Sequence, residues 1–379
     1  MLDSNPTAAP VHVGRIKFHA QSEFMTTLRQ RVDDFFRTTG RRRRDCPTMY
    51  LKTGIILTAT ATIYALLVFA PLVWWQVVPL AMLMGFAMAL VGFNIQHDGG
   101  HHAYSERPWM NRLMAYTIDL VGGSSYWWHW KHYVYHHTYV NIDGHDNDID
   151  LWPYGRLSPH QRRLPWHRWQ HFYLWPLYGL LTVKWHFYDD FVKLMVPKEG
   201  QHRIPRPRGW DLLAFVGFKL WFFTMAFVVP LCLHPWWGVL GVYLLAAFTA
   251  GIVLSVVFQL AHCVEEAEFP EPNPTTGHMT QPWAEHQLET TVDFAQRSRL
   301  ACWLLGGLNF QIEHHLFPLI CHVNYPALAP VVEQTCREFG VPYRVNPTFW
   351  SGMASHFRWL RRMGRDDGHV GVPPTAANS

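Results

Sequence analysis

The sequence predicts an all-α integral membrane protein: four transmembrane helices in two hairpins, with shorter helices capping one face. Two observations predict it. Residues 53–97 and residues 220–264 contain no Asp, Glu, Lys or Arg, so all 32 basic and all 28 acidic residues lie outside these two blocks. Crossing about 30 Å of hydrocarbon takes roughly 20 helical residues, and each block has room for two crossings and a turn. A buried helix of a soluble protein is usually shorter and interrupted by charge. With 49% hydrophobic and 15% aromatic residues, the chain is also too apolar to be disordered.

Residues 1–50 are polar and carry no apolar run bounded by a cleavage site, so they read as a cytoplasmic N-terminal segment rather than a signal peptide. The membrane domain is expected over 51–345, with spans near 53–70, 77–96, 212–229 and 238–260. The turns between them, Pro71 to Gln76 and Pro230 to Trp237, each hold Pro and paired Trp, as suits reversals at the interface. Lys219 falls inside the third span and is expected to snorkel or to face protein. An even number of crossings per block returns the chain to its starting side. The N-terminal segment, residues 98–211 and residues 265–379 therefore share one face. Arg41, Arg42, Arg43 and Arg44 precede the first span and Arg203, Arg206 and Arg208 the third, while the turns have no Lys or Arg. The positive-inside rule puts the shared face, both termini included, in the cytoplasm. Leu113–Trp130 and Trp166–His186 read as helices lying in the interface or against the bundle. Residues 346–379 form a C-terminal segment whose end, after Arg365, is expected to be disordered. A net charge of +4 is no nucleic-acid signature. The six Cys show no framework spacing and read as reduced core thiols.

The chain has 24 His, and their placement carries the chemistry. His97 and His101 are four apart at the inner end of the second span, in His97-Asp98-Gly99-Gly100-His101. His132, His136 and His137 follow. His262 closes the fourth span. Gln311, His314 and His315 stand in Gln311-Ile312-Glu313-His314-His315. Residues four apart share a helix face, so His97 with His101, and His132 with His136, can each enter one cluster. His136 and His137 diverge by about 100° on a helix and can serve two ions. A lone His is usually a satisfied core or surface imidazole, and His12, His19, His160, His202, His278, His356 and His369 are read so. His102, His129, His145 and His286 stay open between support and ligation.

Imidazole suits Zn, Cu, Fe and Ni alike. One zinc needs three or four ligands, whereas this set is enough for two ions. There is no His-Glu-x-x-His, so a zincin protease lacks its motif. Two ions beside apolar helices point to redox chemistry on a lipid chain, for which iron is suited and redox-inert zinc is not.

The three boxes, His97-Asp98-x-x-His101, His132-x-x-x-His136-His137 and Gln311-x-x-His314-His315, resemble those of the membrane fatty acid desaturases. Gln311 in place of a first His makes the third box most similar to the front-end acyl desaturases, which insert a double bond between an existing one and the carboxyl end. The resemblance covers roughly Leu51 to Tyr343. It implies that His97, His101, His132, His136, His137, His262, His314 and His315 ligate two iron ions, with Gln311 a ligand or close neighbour. It implies supporting roles for Asp98, holding a His N–H or capping the span, and for Gln259, orienting a bound water or closing the fourth span. It also implies an O2-dependent desaturase acting on a long acyl chain carried by coenzyme A or a membrane lipid. Many front-end enzymes carry a fused b-type cytochrome with a His-Pro-Gly-Gly motif. That motif is absent and 50 residues are too few for the domain, so a ferredoxin or free b-type cytochrome is the expected electron carrier. Arg41–Arg44 and Arg162–Arg163 are candidates for docking it, for coenzyme A phosphates or for anionic lipid. An apolar tunnel is expected to place the chain; Trp127, Trp128 and Trp130 are candidate walls, though interfacial anchors by first expectation. A di-iron lipid hydroxylase or ketolase is the alternative within the superfamily. A His-rich metal transporter is the alternative outside it, although transport sites lie nearer the bilayer midplane.

Overall fold

A computed structural model describes residues 16–365. His12, His369 and the tail after Arg365 lie outside the described residues. Four helices are long and apolar enough to cross a membrane: Pro47–Phe69, Trp74–Gly100, Trp210–Leu231 and Trp236–His262. Each begins before the boundary expected from the sequence, and all but the first also end later. Helix ends are set by backbone capping and packing, whereas the charge-free run marks only the lipid-facing part. The first span starts on Pro47, whose fixed φ suits a first helical turn. The second and fourth spans have 27 residues each, about 40 Å at 1.5 Å per residue. Roughly 10 Å of each therefore projects beyond a 30 Å slab. These two form the inner pair, 56% and 44% buried, against 22% and 17% for the first and third. Their backbones approach closely: a Cβ on Gly85 would lie 2.2 Å from Ala246 O and 2.8 Å from Thr249 Cβ. The paired Trp at the two turns, Trp74, Trp75, Trp236 and Trp237, are exposed.

Lys219 faces protein. Its ammonium donates to Asp190 Oδ2 and to Gly122 O, each at 2.6 Å, with Phe191 and Phe215 rings beside it. The middle segment is more broken than two interface helices. Its first part forms Pro108–Ala115, Thr117–Leu120, Ser125–Trp128, a π-helix at His129–His136 and a last turn at His137–Tyr139. Its second part, Gln170–Tyr178, Leu181–Lys184, Trp185–Asp189 and Asp190–Met195, runs along the fourth span. Thr182 Oγ1 donates to Ala247 O, and His186 Nδ1 lies 2.9 Å from Tyr243 Oη. Trp127 is buried and Trp128 packs on histidine rings, so neither is an interfacial anchor.

Above the bundle sits a helical cap. The N-terminal helix Glu23–Thr39 starts at Ser22, whose side chain accepts from Met25 N, and stops at Gly40 with φ +65°. Its apolar stripe, Leu28, Val32 and Phe36, packs with Leu328, Val332 and Cys336 of Tyr325–Phe339. The C-terminal helix Phe349–Arg365 buries Trp359, Leu360 and Met363 in the same cluster as Leu260 and Ala261 of the fourth span. Three two-stranded pairs are the β-structure among the described residues. All six Cys are free thiols. Arg43 and Arg44 pair with Asp33 and Glu106, which reduces the charge available for docking.

Candidate metal centre

The projecting ends of the inner spans begin the site. A π-turn at Gly92–Gln96 precedes His97, and the helix ends with His101 as its cap. Neither Gly99 nor Gly100 has room for a side chain: a Cβ would lie 2.6 Å from Ala115 N and 2.2 Å from the Trp128 ring. The second box is wound as a π-helix. In that winding residues five apart align, so His132 faces His137 as well as His136. His132 Nε2 is 3.3 Å from His137 Nε2 and 3.3 Å from His97 Nε2. His262 is the last residue of the fourth span. His314 and His315 stand on the short helix Gln311–Leu316, whose first turn is held by Ile312 N donating to Asp293 Oδ1 at 2.8 Å.

These four segments meet. Ring nitrogens of His97, His101, His132 and His314 fall within 4.8 Å of one another, as do those of His136, His262 and His315; His137 joins His314 and His315. None of the eight residues is more than 9% exposed. The Nε2 atoms of His101, His136, His262, His314 and His315 have no hydrogen-bond partner among the described residues. Except in His101, whose Nδ1 is unpartnered as well, their opposite edges are held. His136 Nδ1–H donates to Asp146 Oδ2 at 3.0 Å, His315 Nδ1–H to Gln287 Oε1 at 2.8 Å and His262 Nδ1–H to Thr290 O at 3.4 Å, while His314 Nδ1 meets Tyr325 Oη at 3.4 Å. An orphaned buried polar atom costs about 1–3 kcal/mol. Five in one cluster, four of them on rings held by a hydrogen bond at the opposite nitrogen, are what bound cations would satisfy.

Electrostatics agree. Burial, reinforced by neighbouring imidazoles, holds His101, His132, His137, His314 and His315 well below the ordinary histidine range. They are neutral, with lone pairs free for a metal. For His136 burial also opposes charge, but Asp146, with Asp148 behind it, raises its pKa above the usual value. An all-imidazole donor set without thiolates, large enough for two ions, fits a pair of first-row metals.

Gln259 and Gln311 are buried with Oε1 unpartnered. Asp98 does hold a histidine N–H, but that of His322 rather than a box histidine. The open cases stand apart from the cluster: His102 is exposed, His129 stacks on Tyr133, His145 bonds His202 and His286 bonds Val140 O. His160 and His356 bond backbone carbonyls, and His202 stacks on Tyr135 and Tyr139. Sequence reading missed Asp146, Asp148, Gln287, His322 and Tyr325. The one available signal was Asp146-Asn147-Asp148, an acidic pair shortly after the second box. About 12–18 Å down the inner spans, counting 1.5 Å per residue from His262 and His97, lies a small apolar cavity of about 10 Å³ lined by Met88, Ile118, Val121, Trp185, Ala250 and Leu254.

The family model for the fatty acid desaturases matches residues 72–347, a stretch that contains all three boxes. The chain belongs to the fatty acid desaturase family. Among relatives of this desaturase-family chain, the sn-1 linoleoyl-lipid 6-desaturase of Synechocystis is 40% identical over 93% of this chain and 98% of its own. That of Arthrospira platensis is 38% identical over 92% and 95%. The acyl-lipid (8-3)-desaturase of Physcomitrium patens is 37% identical over 90% of this chain and 72% of its own. The chain is thus a multi-pass, three-His-box, non-haem di-iron type of oxidoreductase related to front-end desaturases.

Proposed function

We propose that this chain takes a long acyl chain, O2, two electrons and two protons to a cis-unsaturated chain and two waters, as a front-end desaturase. One observation carries the reading. Eight buried imidazoles from four segments bring their ring nitrogens into three overlapping groups, each within 4.8 Å, at the ends of two spans, in a chain of this family. His97, His101, His132, His136, His137, His262, His314 and His315 are the ligands proposed for two irons, with Gln311 a ligand or neighbour and Gln259 beside His262. When bound, such a pair supplies reductive activation of O2 and oxidation of an unactivated C–H bond. The protein's part is position. Asp146, Gln287 and Thr290 fix ring orientation, and the buried walls exclude water.

The names of the relatives favour a lipid-linked acyl chain over acyl-coenzyme A. Electrons come from a separate one-electron carrier, a ferredoxin or b-type cytochrome. The cap and both termini lie in the cytoplasm, supported by Arg before the first and third spans and none in the turns. Expression in a host fed defined polyunsaturated acids, with double bonds located by mass spectrometry, tests the reading. A new cis bond on the carboxyl side of an existing one is expected, absent with His315→Ala. Retention of an oxygen atom on the chain would assign a hydroxylase, and metal flux without O2 consumption a transporter.

A further inference from the structure

Behind the first box lies a second buried polar cluster that the proposed chemistry does not use. Asp98, Cys321 and His322 place ligand-type atoms within 4.8 Å of one another, and all three are buried. Lys52 of the first span is buried beside them. Its Nζ is 3.0 Å from His322 Nε2. His322 Nδ1 is 2.9 Å from Asp98 Oδ2, and the His322 backbone N–H donates to the same oxygen at 3.2 Å.

A metal site is one reading of such a cluster, and the hydrogen bonds decide against it. An ammonium can only donate, so His322 Nε2 accepts and Nδ1 carries the hydrogen, which it donates to the carboxylate. The chain Lys52 to His322 to Asp98 has one direction and one tautomer. None of these side-chain atoms is without a partner, in contrast to the box histidines. Free lone pairs, the mark of the metal centre, are missing here.

We propose that His322 is a positioning residue that locks the first box to the third by bridging Lys52 and Asp98; the inference rests on the di-metal reading above. Asp98 lies between His97 and His101 on the projecting end of the second span. His322 lies seven residues beyond His315, and Cys321 N in the same stretch donates to Arg43 O at 2.8 Å. Two ligand-bearing segments far apart in sequence, plus the first span, are thus joined through one imidazole. His97 and His314, whose rings are 4.4 Å apart, are the pair whose spacing this joint sets. A bidentate, two-sided contact of this kind fixes rotation of the short helix end as well as its distance. That freedom matters because π-turn and glycine-rich ends are easily rewound.

The test compares His322→Gln with His322→Leu in the full chain, purified in lipid nanodiscs. A Gln side chain can donate from Nε2 to Asp98 and accept at Oε1 from Lys52, whereas Leu can do neither. Metal content and the visible absorption of cobalt-loaded protein are read without turnover, so the result does not depend on which lipid, if any, is desaturated. Expected is a 10- to 100-fold weaker hold on the metal pair against a chelator for Leu, with an altered cobalt spectrum, and near wild-type behaviour for Gln. Wild-type retention and spectrum in the Leu variant would overturn the proposal, as would equal losses in Gln and Leu. A third metal equivalent in wild type that vanishes in His322→Gln would overturn it in favour of a metal site. Should the Leu variant not fold, Lys52→Met, which removes the donor that selects the tautomer, is expected to weaken metal retention in the same direction; unchanged retention there also overturns the proposal.

Discussion

At the scale of single residues, carboxylates act by where they stand. Asp146 is buried and fully used: it accepts from His136 Nδ1, from Asn141 N and from Asp148 N. Asp146→Asn keeps the shape but takes away the charge behind His136. Metal affinity is expected to fall about 10- to 100-fold, measured by chelator competition on folded protein. Asp119 is the opposite case. Burial pushes its carboxyl up to about 7, so the folded state holds the proton more tightly than the unfolded chain. Its contribution to stability is full in acid and is lost as pH rises from the ordinary carboxylate value towards 7. Asp119→Asn is therefore expected to gain thermal stability relative to wild type at pH 8 and to gain none at pH 4, read by thermal melts at both. The box histidines and Gln311 were visible in the sequence because spacing is local. Asp146 was not, because Asn141 with φ +57° turns the chain back to deliver it, and no periodic signal marks such a return.

At the scale of elements, the inner spans and their packing decide. Gly85 is where the second and fourth spans touch, and Gly85→Leu would force the backbones apart against Ala246 O. Loss of folding in detergent is the expected outcome, because both spans carry metal-centre residues and cannot separate independently. Lys219 tests a different bond. Lys219→Met leaves Asp190 buried without its cation, an error worth about 3–5 kcal/mol, whereas Lys219→Met with Asp190→Asn is expected to recover most of it. Denaturation midpoints of the two variants check this. The charge-free blocks revealed the number of spans, but their ends moved: the sequence marks where lipid stops, and the helix continues until glycine, proline or a packed neighbour stops it. The π-winding of the second box was equally hidden. It brings His132 to both of its partners through a change of pitch that one sequence cannot announce.

At the scale of the whole molecule, the even span count puts the cap, the metal centre and both described chain ends on one face, with the Pro-Trp turns on the other. With the native Cys replaced by Ser, since Cys232 is itself exposed at the second turn, single cysteines introduced at Val73 and at Leu233 are expected to react with an impermeant thiol reagent from the side opposite to one placed at Arg362. Labelling of all three from one side of sealed vesicles would break the topology.

The sequence by itself determined that this is a four-span membrane protein with three histidine boxes at one face, because segregation of charge and spacing of like residues are local properties of a chain. Only the tertiary structure decided that the boxes close into one cluster of ring nitrogens, and that Asp146, Gln287 and Tyr325 stand behind them. It also placed Lys52 and Asp98 on either side of one imidazole. Those contacts join residues far apart in the chain or beyond a sharp reversal, and which side chain meets which depends on how loops close over a packed bundle.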